Sequence, residues 1–245
     1  MGDNHDFLDP VFSFKTLDVF WGRREILKAL TAQLDRFEGT VLDLGCGQMP
    51  YRSLILSYAD RVQRYIGMDL RSDLRDYRYA NCGPPDLEWD GKIIPLESGS
   101  VGCIIATEVL HQCADVEVVL KEAARVLQPG GILFFTVPFL WPLHCAPLDQ
   151  YRYTPFALER HLKVAGFGHI KLQALGGWDS SLAQMLALWV RRKPMTRWKR
   201  EILTRLATPL IMWLLKNDKP QPIFTDQTMI TRIAGTANRL ESSRE

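Results

Sequence analysis

The sequence is short of the features that fix a protein's class at a glance, and each absence removes a possibility. Its 245 residues contain no Gly-x-x-x-x-Gly-Lys-Ser/Thr run, which excludes a P-loop nucleotide site. The five cysteines, Cys46, Cys82, Cys103, Cys113 and Cys145, are odd in number and lack a metal-type spacing, so neither a metal site nor a disulfide framework is expected. Met1 to Pro10 is acidic and polar, without a secretory apolar segment, and the expectation is a cytoplasmic protein with reduced thiols. No apolar run has the roughly 20 residues of a membrane span. A net charge of +2 is too small to bind nucleic acid across the whole surface. Repeats and low-complexity tracts are missing too. What is present, 47% apolar and 24% charged residues over a chain of this length, describes one globular domain with a well-buried core.

Against that background the run Val41-Leu42-Asp43-Leu44-Gly45-Cys46-Gly47 stands out, followed about one βαβ unit later by Tyr65-Ile66-Gly67-Met68-Asp69-Leu70. An apolar strand opening into two glycines lets the backbone approach a ligand closely, and an acidic residue ending the next strand can accept from two ribose hydroxyls. A dinucleotide fold would need a third glycine where this chain has Pro50, after Gln48 and Met49. Proline removes an N–H that a pyrophosphate would use. The pattern therefore points to S-adenosylmethionine, which carries no phosphate.

The same residues carry a family resemblance. With Trp89-Asp90-Gly91, Ile94-Pro95-Leu96, Ile105-Ala106-Thr107-Glu108-Val109-Leu110 and Arg125-Val126-Leu127-Gln128-Pro129-Gly130-Gly131, the chain resembles the class I S-adenosylmethionine-dependent methyltransferases of type 11 over roughly residues 20 to 177. That resemblance implies Asp43, Gly45 and Gly47 at the methionine end of the cofactor, Asp69 at its ribose, and Trp89 with Asp90 at its adenine. Leu44, Cys46, Leu70 and Thr107 would line the same site. Cys46 reads as a small packing residue beside the loop, and Asp90, next to Gly91, could instead serve a turn.

Short apolar strands are expected at 41 to 45, 65 to 70, about 86 to 89, 102 to 107 and 132 to 138, alternating with helices over Trp21 to Phe37, Val116 to Leu127 and from Thr154 onward. His169 to Leu175 reads as a sixth strand, and Thr228 to Ala234 is the best candidate for the antiparallel seventh that the resemblance implies. The fold class is α/β: a doubly wound, Rossmann-like sheet, mostly parallel with an antiparallel seventh strand, plus a helical insertion before the last strand. Residues 1–245 form one methyltransferase domain on this reading. It comprises an N-terminal lid and helix (1–40), a cofactor-binding core (41–177), a helical insertion (178–222) and a last strand with tail (223–245).

Methyl transfer from a sulfonium is an in-line displacement, and a hydroxyl acceptor also needs a base. Candidates after the fourth and fifth strands are Glu108, His111 and His144, with Asp149 nearby. The fourth-strand motif departs from the family's usual Glu-Val-Leu-Glu-His, reading Glu108-Val109-Leu110-His111-Gln112, so the histidine sits one residue early, about 100° around a helix. Trp141, Tyr151, Arg152 and Tyr153 form a candidate acceptor pocket, in which Asp149 and Arg152 would brace the loop and Thr154 cap a helix. The acceptor expected is a small molecule, a glycan or a lipid-linked compound. Asn-Pro-Pro-Tyr, the signature for planar nitrogen acceptors, is absent after the fourth strand, which disfavours nucleic-acid bases. A non-catalytic binding subunit and a protein or RNA methyltransferase are the alternatives.

Within the insertion, apolar Leu182 to Val190 precedes Arg191, Arg192, Lys193, Arg197, Lys199 and Arg200, and Trp198, Ile202, Leu206, Leu210 and Trp213 follow at helical spacing. Residues 180–219 are expected to be helical. They would serve peripheral contact with the inner face of a membrane, pack over the last strands, or form a homodimer face.

Overall fold

A computed structural model describes residues 5–71 and 84–241. Cys82, the first four residues of the polar N-terminal stretch and the end of the C-terminal tail lie outside the described residues. Among the described residues seven strands form one sheet: β1 (Gly39–Leu44), β2 (Val62–Leu70), β3 (Leu87–Trp89), β4 (Val101–Thr107), β5 (Leu127–Pro138), β6 (Phe167–Leu175) and β7 (Arg232–Arg239), in the order β3-β2-β1-β4-β5-β7-β6. Strands β1 to β5 pair in parallel, while β7 runs antiparallel to both β5 and β6. The strand order reverses between β1 and β4, and the carboxyl ends of these two strands open the crevice where such sheets hold ligands.

Alternation along the strands supplies both faces of the sheet. Leu42, Leu44, Ile104, Ala106, Leu133 and Phe135 pack with Val119, Leu120 and Ala123 of α4 (Val116–Val126) and with Leu158 and Leu162 of α5 (Pro155–Val164). Their neighbours Val41, Cys103, Ile105, Ile132 and Phe134 pack on the other face against Ile26 and Leu30 of α2 (Phe20–Thr31) and Ile55 of α3 (Arg52–Tyr58). A strand apolar on both faces belongs inside a covered sheet, as the short uninterrupted runs predict. Local signals start the helices. Asp115 caps α4 by accepting from the Val118 N–H at 3.1 Å, and Thr154 caps α5 by accepting from Ala157 at 3.2 Å, with Pro155 in the first turn.

Several expectations shift. The first long helix stops at Thr31, and a 3-10 turn at Leu34–Arg36 completes the approach to β1. Glu117 meets His161 of α5 at 2.9 Å, an interhelical contact that local spacing does not reveal. The last strand begins four residues later than the apolar pattern predicts and runs to Arg239. Residues beyond Ala234 look too small and polar for a buried strand, but Phe135 requires it: a Cβ on Gly235 would lie 2.4 Å from the Phe135 ring.

Two helices fill the segment before β7, α6 (Trp178–Arg192) and α7 (Arg197–Asn217). They pair through Ala183, Ala187 and Val190 against Ile211, Leu214 and Leu215, and the pair rests on Leu17 and Trp21. Asp218, just past α7, accepts from the Gly177 and Ser180 N–H groups at 2.9 and 3.0 Å, so the end of one helix satisfies donors at the start of the other. A second set of large apolar residues, including Trp198, Leu206 and Trp213, is exposed, so these do not pack over β6 and β7. Among the described residues no helix is long and apolar enough to cross a membrane. At the N-terminus α1 (His5–Leu8) brings Phe7 edge-on to Tyr51, with ring centroids 6.4 Å apart.

Candidate active site

The crevice is built from the ends of β1, β2, β4 and β5. Gly45 leaves β1 with φ 70°, and a Cβ there would lie 2.4 Å from Val109 Cγ2, so both backbone shape and space require glycine. Gly47 also has a positive φ of 51°, and its N–H donates to Asp69 Oδ2 at 2.9 Å, while the Leu70 N–H donates to Asp69 Oδ1 at 2.7 Å. The carboxylate at the end of β2 thus anchors the glycine loop, and an ionised carboxylate has acceptor capacity for several donors.

Asp43 is 1% exposed and takes a hydrogen bond from the Tyr65 hydroxyl on Oδ2, while Oδ1 is buried with no hydrogen-bond partner. Burial pushes its carboxyl up to about 7; the Tyr65 bond works against this rise and the Asp69 charge adds to it. A buried acceptor left unsatisfied is costly. A ligand donor at this point would satisfy it, and the two residues that follow Asp43 keep the backbone close enough for one. Leu44 and Cys46 are buried beside the loop, Leu70 and Thr107 half-buried at the strand ends, and Trp89 buried at the end of β3. Asp90 is exposed and closes a turn, its Oδ1 accepting from Lys92 and Ile93 N–H at 2.8 and 2.9 Å. Those bonds, Ile93 foremost, hold its carboxyl below the usual range.

At the end of β4, Glu108 adopts φ 56° and its N–H donates to the Thr136 carbonyl at 2.9 Å. Its Oε2 receives Arg232 Nε at 3.3 Å, whereas Glu108 Oε1 and Arg232 Nη1 are buried without hydrogen-bond partners. Arg232 is the first residue of β7, opposite Pro138, so the antiparallel return delivers a buried guanidinium to the carboxyl ends of the parallel strands. Its Cζ lies 5.0 Å from the Trp141 ring centroid, and Arg192 Cζ of α6 lies 4.8 Å from the same ring. Arg192 also meets Asp18 at 2.7 Å.

The other candidates form a brace beside this centre. Arg152 grips Asp149 with both terminal nitrogens, at 2.5 and 2.7 Å, and Asp149 Oδ2 accepts from the His144 backbone N–H at 2.8 Å. Arg152 holds the Asp149 carboxyl below its ordinary range. His111 is buried with Nε2 3.8 Å from Asp149 Oδ1, and its carbonyl accepts from the Gln150 and Tyr151 N–H groups. Burial lowers the imidazole to about 4, the Asp149 charge opposing, which leaves the ring neutral at pH 7. Tyr151 donates to the Ala114 carbonyl at 3.0 Å and stacks on buried Tyr153 at 5.3 Å. Of the acceptor-pocket candidates, Trp141 faces the Glu108–Arg232 pair, while Tyr151, Arg152 and Tyr153 tie the loop to the end of β4.

Sequence reasoning missed Arg232, Tyr65 and Tyr51. Tyr51 opens α3, and burial, with the Glu108 and Asp43 charges adding, pushes its phenol up, which puts it among the acidic groups of the crevice. Tyr65 had a readable signal, a polar hydroxyl two residues before the glycine in the buried middle of β2. Arg232 had only a basic residue inside a weakly apolar run.

Residues 42–135 match the family model described as a methyltransferase domain. A fatty-acid O-methyltransferase of Mycolicibacterium smegmatis is 30% identical over 115 residues, covering 46% of this chain and 42% of that protein. A malonyl-[acyl-carrier protein] O-methyltransferase of Methylococcus capsulatus is 27% identical over 186 residues, 68% of this chain and 67% of the other. The chain spans between 21% and 42% of the length of the first curated relatives it matches. Among solved structures, a SAM-dependent methyltransferase from Archaeoglobus fulgidus superposes with a TM-score of 0.54 at 14% identity, covering 96% of this chain and 97% of that one, a likeness of fold. The sheet order and the glycine loop closed on Asp69 agree with the methyltransferase-domain model that residues 42–135 match, and the fold is that of the class I methyltransferases.

Proposed function

We propose that the protein transfers a methyl group from S-adenosylmethionine to a nucleophilic atom of a small-molecule, glycan or lipid-linked acceptor. The observation that carries this reading is the pairing, at the switch point of the sheet, of a glycine loop anchored on Asp69 with a buried Asp43 oxygen that has no partner. One group suits a sugar diol and the other a cationic donor. Relatives named for O-methylation of a fatty acid and of malonyl-[acyl-carrier protein] support an acyl or lipid-type acceptor over a nucleic-acid base.

The cofactor, when bound, supplies an electrophilic methyl on a sulfonium; the chain's own residues bind, orient and exclude water. Gly45 and Gly47 let the backbone close on the ligand, Asp43 and Asp69 accept its donors, and buried Trp89 offers an apolar wall. Val109, pressed on Gly45, narrows the gap between the β1 and β4 ends. Glu108 is the group we assign to the acceptor's proton, because its Oε1 is buried and unpartnered while Arg232 fixes the other oxygen. The Asp149–Arg152 pair holds the loop that carries Trp141 and His144, and orientation of this kind supplies much of a displacement's rate.

Incubation of purified protein with methyl-labelled cofactor and fractionated extracts, lipid fractions included, tests the reading. Label should pass to one class of compound, and Glu108→Gln should cut turnover by about 10² to 10⁴ with cofactor affinity nearly intact. Cofactor binding without transfer into any fraction would favour a non-catalytic subunit instead.

A further inference from the structure

Beyond the buried face that joins them, α6 and α7 each expose a further row of large apolar side chains that the hairpin does not use for its own packing. Along α7, Trp198 (60% exposed), Ile202, Leu206 (71%), Leu210 and Trp213 (59%) form one stripe, while Thr204, Ile211, Leu214 and Leu215 face inward. The stripe is about 22 Å long at the rise of an α-helix. On α6, Trp178, Leu182, Met185 and Trp189 repeat the arrangement opposite buried Ala183, Ala187 and Val190. An exposed apolar surface of this extent marks a contact site.

Charge identifies what covers it. Residues 191 to 219 carry nine basic side chains against two acidic ones, Glu201 and Asp218, on a chain whose net charge is only +2. By helical geometry Lys199, Arg205 and Lys216, all exposed, border the α7 stripe. Two copies joined through this face would bring like charges together, which opposes association. An anionic headgroup layer neutralises the same charges while the acyl boundary accepts the apolar residues, and tryptophan favours that boundary. Neither helix is long and apolar enough to span the bilayer.

We infer that α7, with the outer face of α6, lies in the headgroup region of an anionic membrane surface and seats the protein there. Arg192, at the end of α6, stacks on Trp141 of the acceptor loop, so the seated face is joined through one residue to the mouth of the crevice. The inference concerns where the protein works and stands independently of the reaction proposed above.

Co-sedimentation of the full chain with vesicles tests it, comparing phosphatidylcholine alone with phosphatidylcholine containing about 30% phosphatidylglycerol, a surface whose attraction is worth about fivefold in affinity per basic residue. Binding should appear with the anionic vesicles, exceed that to neutral vesicles by tenfold or more, and weaken at high salt. Lys199→Ala/Arg205→Ala, two exposed substitutions that leave the core untouched, should lower affinity about 25-fold. Trp198→Ser/Trp213→Ser should abolish binding with the thermal midpoint unchanged. Equal or negligible binding to both vesicle types, or anionic binding indifferent to both double variants, would overturn the inference. So would self-association in sedimentation velocity that Trp198→Ser/Trp213→Ser removes, which would make the face an interface between copies.

Discussion

Replacing Asp43 by asparagine should stabilise the fold at alkaline pH while it damages the site. In the folded protein burial raises this carboxyl to about 7, from 3.8 in the unfolded chain. A raised carboxyl contributes stability fully below the unfolded value and loses it as pH rises through the folded one. At pH 8 the wild type holds a buried carboxylate that the unfolded chain would solvate, an uncompensated cost of up to about 4 kcal/mol. The asparagine side chain has no charge to bury and its carbonyl can still accept from Tyr65, although its amide leaves a buried donor unmet at about 1–3 kcal/mol. That second cost is independent of pH and cancels in a comparison across pH. Urea unfolding of both proteins from pH 5 to 8 should therefore show the stability difference, Asp43→Asn minus wild type, rising by about 2–3 kcal/mol. Cofactor affinity of the variant should fall below that of the wild type over the same range. Parallel stability curves for the two proteins would refute the claim that burial raises the Asp43 carboxyl to about 7.

Other outcomes follow from the same geometry. Gly45→Ala should cost about 2–4 kcal/mol, from its positive φ and the Val109 contact, and Val109→Ala should recover only the packing part in a double-mutant cycle read by denaturant unfolding. His111, lowered to about 4 from 6.5, supports the fold above pH 6.5 and withdraws that support as pH falls through 4. His111→Asn should flatten this acid limb by about 3 kcal/mol in urea titrations at successive pH values. Arg232→Met should destabilise the fold by leaving Glu108 unpaired, and Glu108→Gln added to it should restore stability without restoring turnover. His144→Asn, by contrast, should keep turnover within a fewfold of wild type if Glu108 handles the acceptor proton, which steady-state kinetics of the two variants will separate.

The glycine loop and the acidic strand end that anchors it were legible in the sequence because their parts are local. An apolar strand, two glycines and an acidic strand end occupy two short segments, and parallel β topology then brings them together without further information. Helix starts at Asp115 and Thr154 were equally local. Arg232 was not, because its place depends on β7 pairing with β5 and β6 across long stretches of chain, and on Phe135 demanding a glycine opposite it. The Tyr65–Asp43 bond depends on the register of β1 against β2, which no spacing along the chain encodes. Helical periodicity in α7 was correct as a pattern but did not say which stripe faced inward. Ile211, Leu214 and Leu215 took the packed side, facing Ala183 and Ala187 of α6, whose small side chains let the two helices approach closely.

The account rests on the crevice between β1 and β4 being a cofactor site closed by Asp69, and titration calorimetry with S-adenosylhomocysteine addresses this directly. The wild type should bind one equivalent, and folded Asp69→Ala should lose about 1.5–3 kcal/mol of affinity, the worth of charge-assisted bonds to a sugar diol. No binding by the folded wild type, or unchanged affinity in the variant, would contradict it.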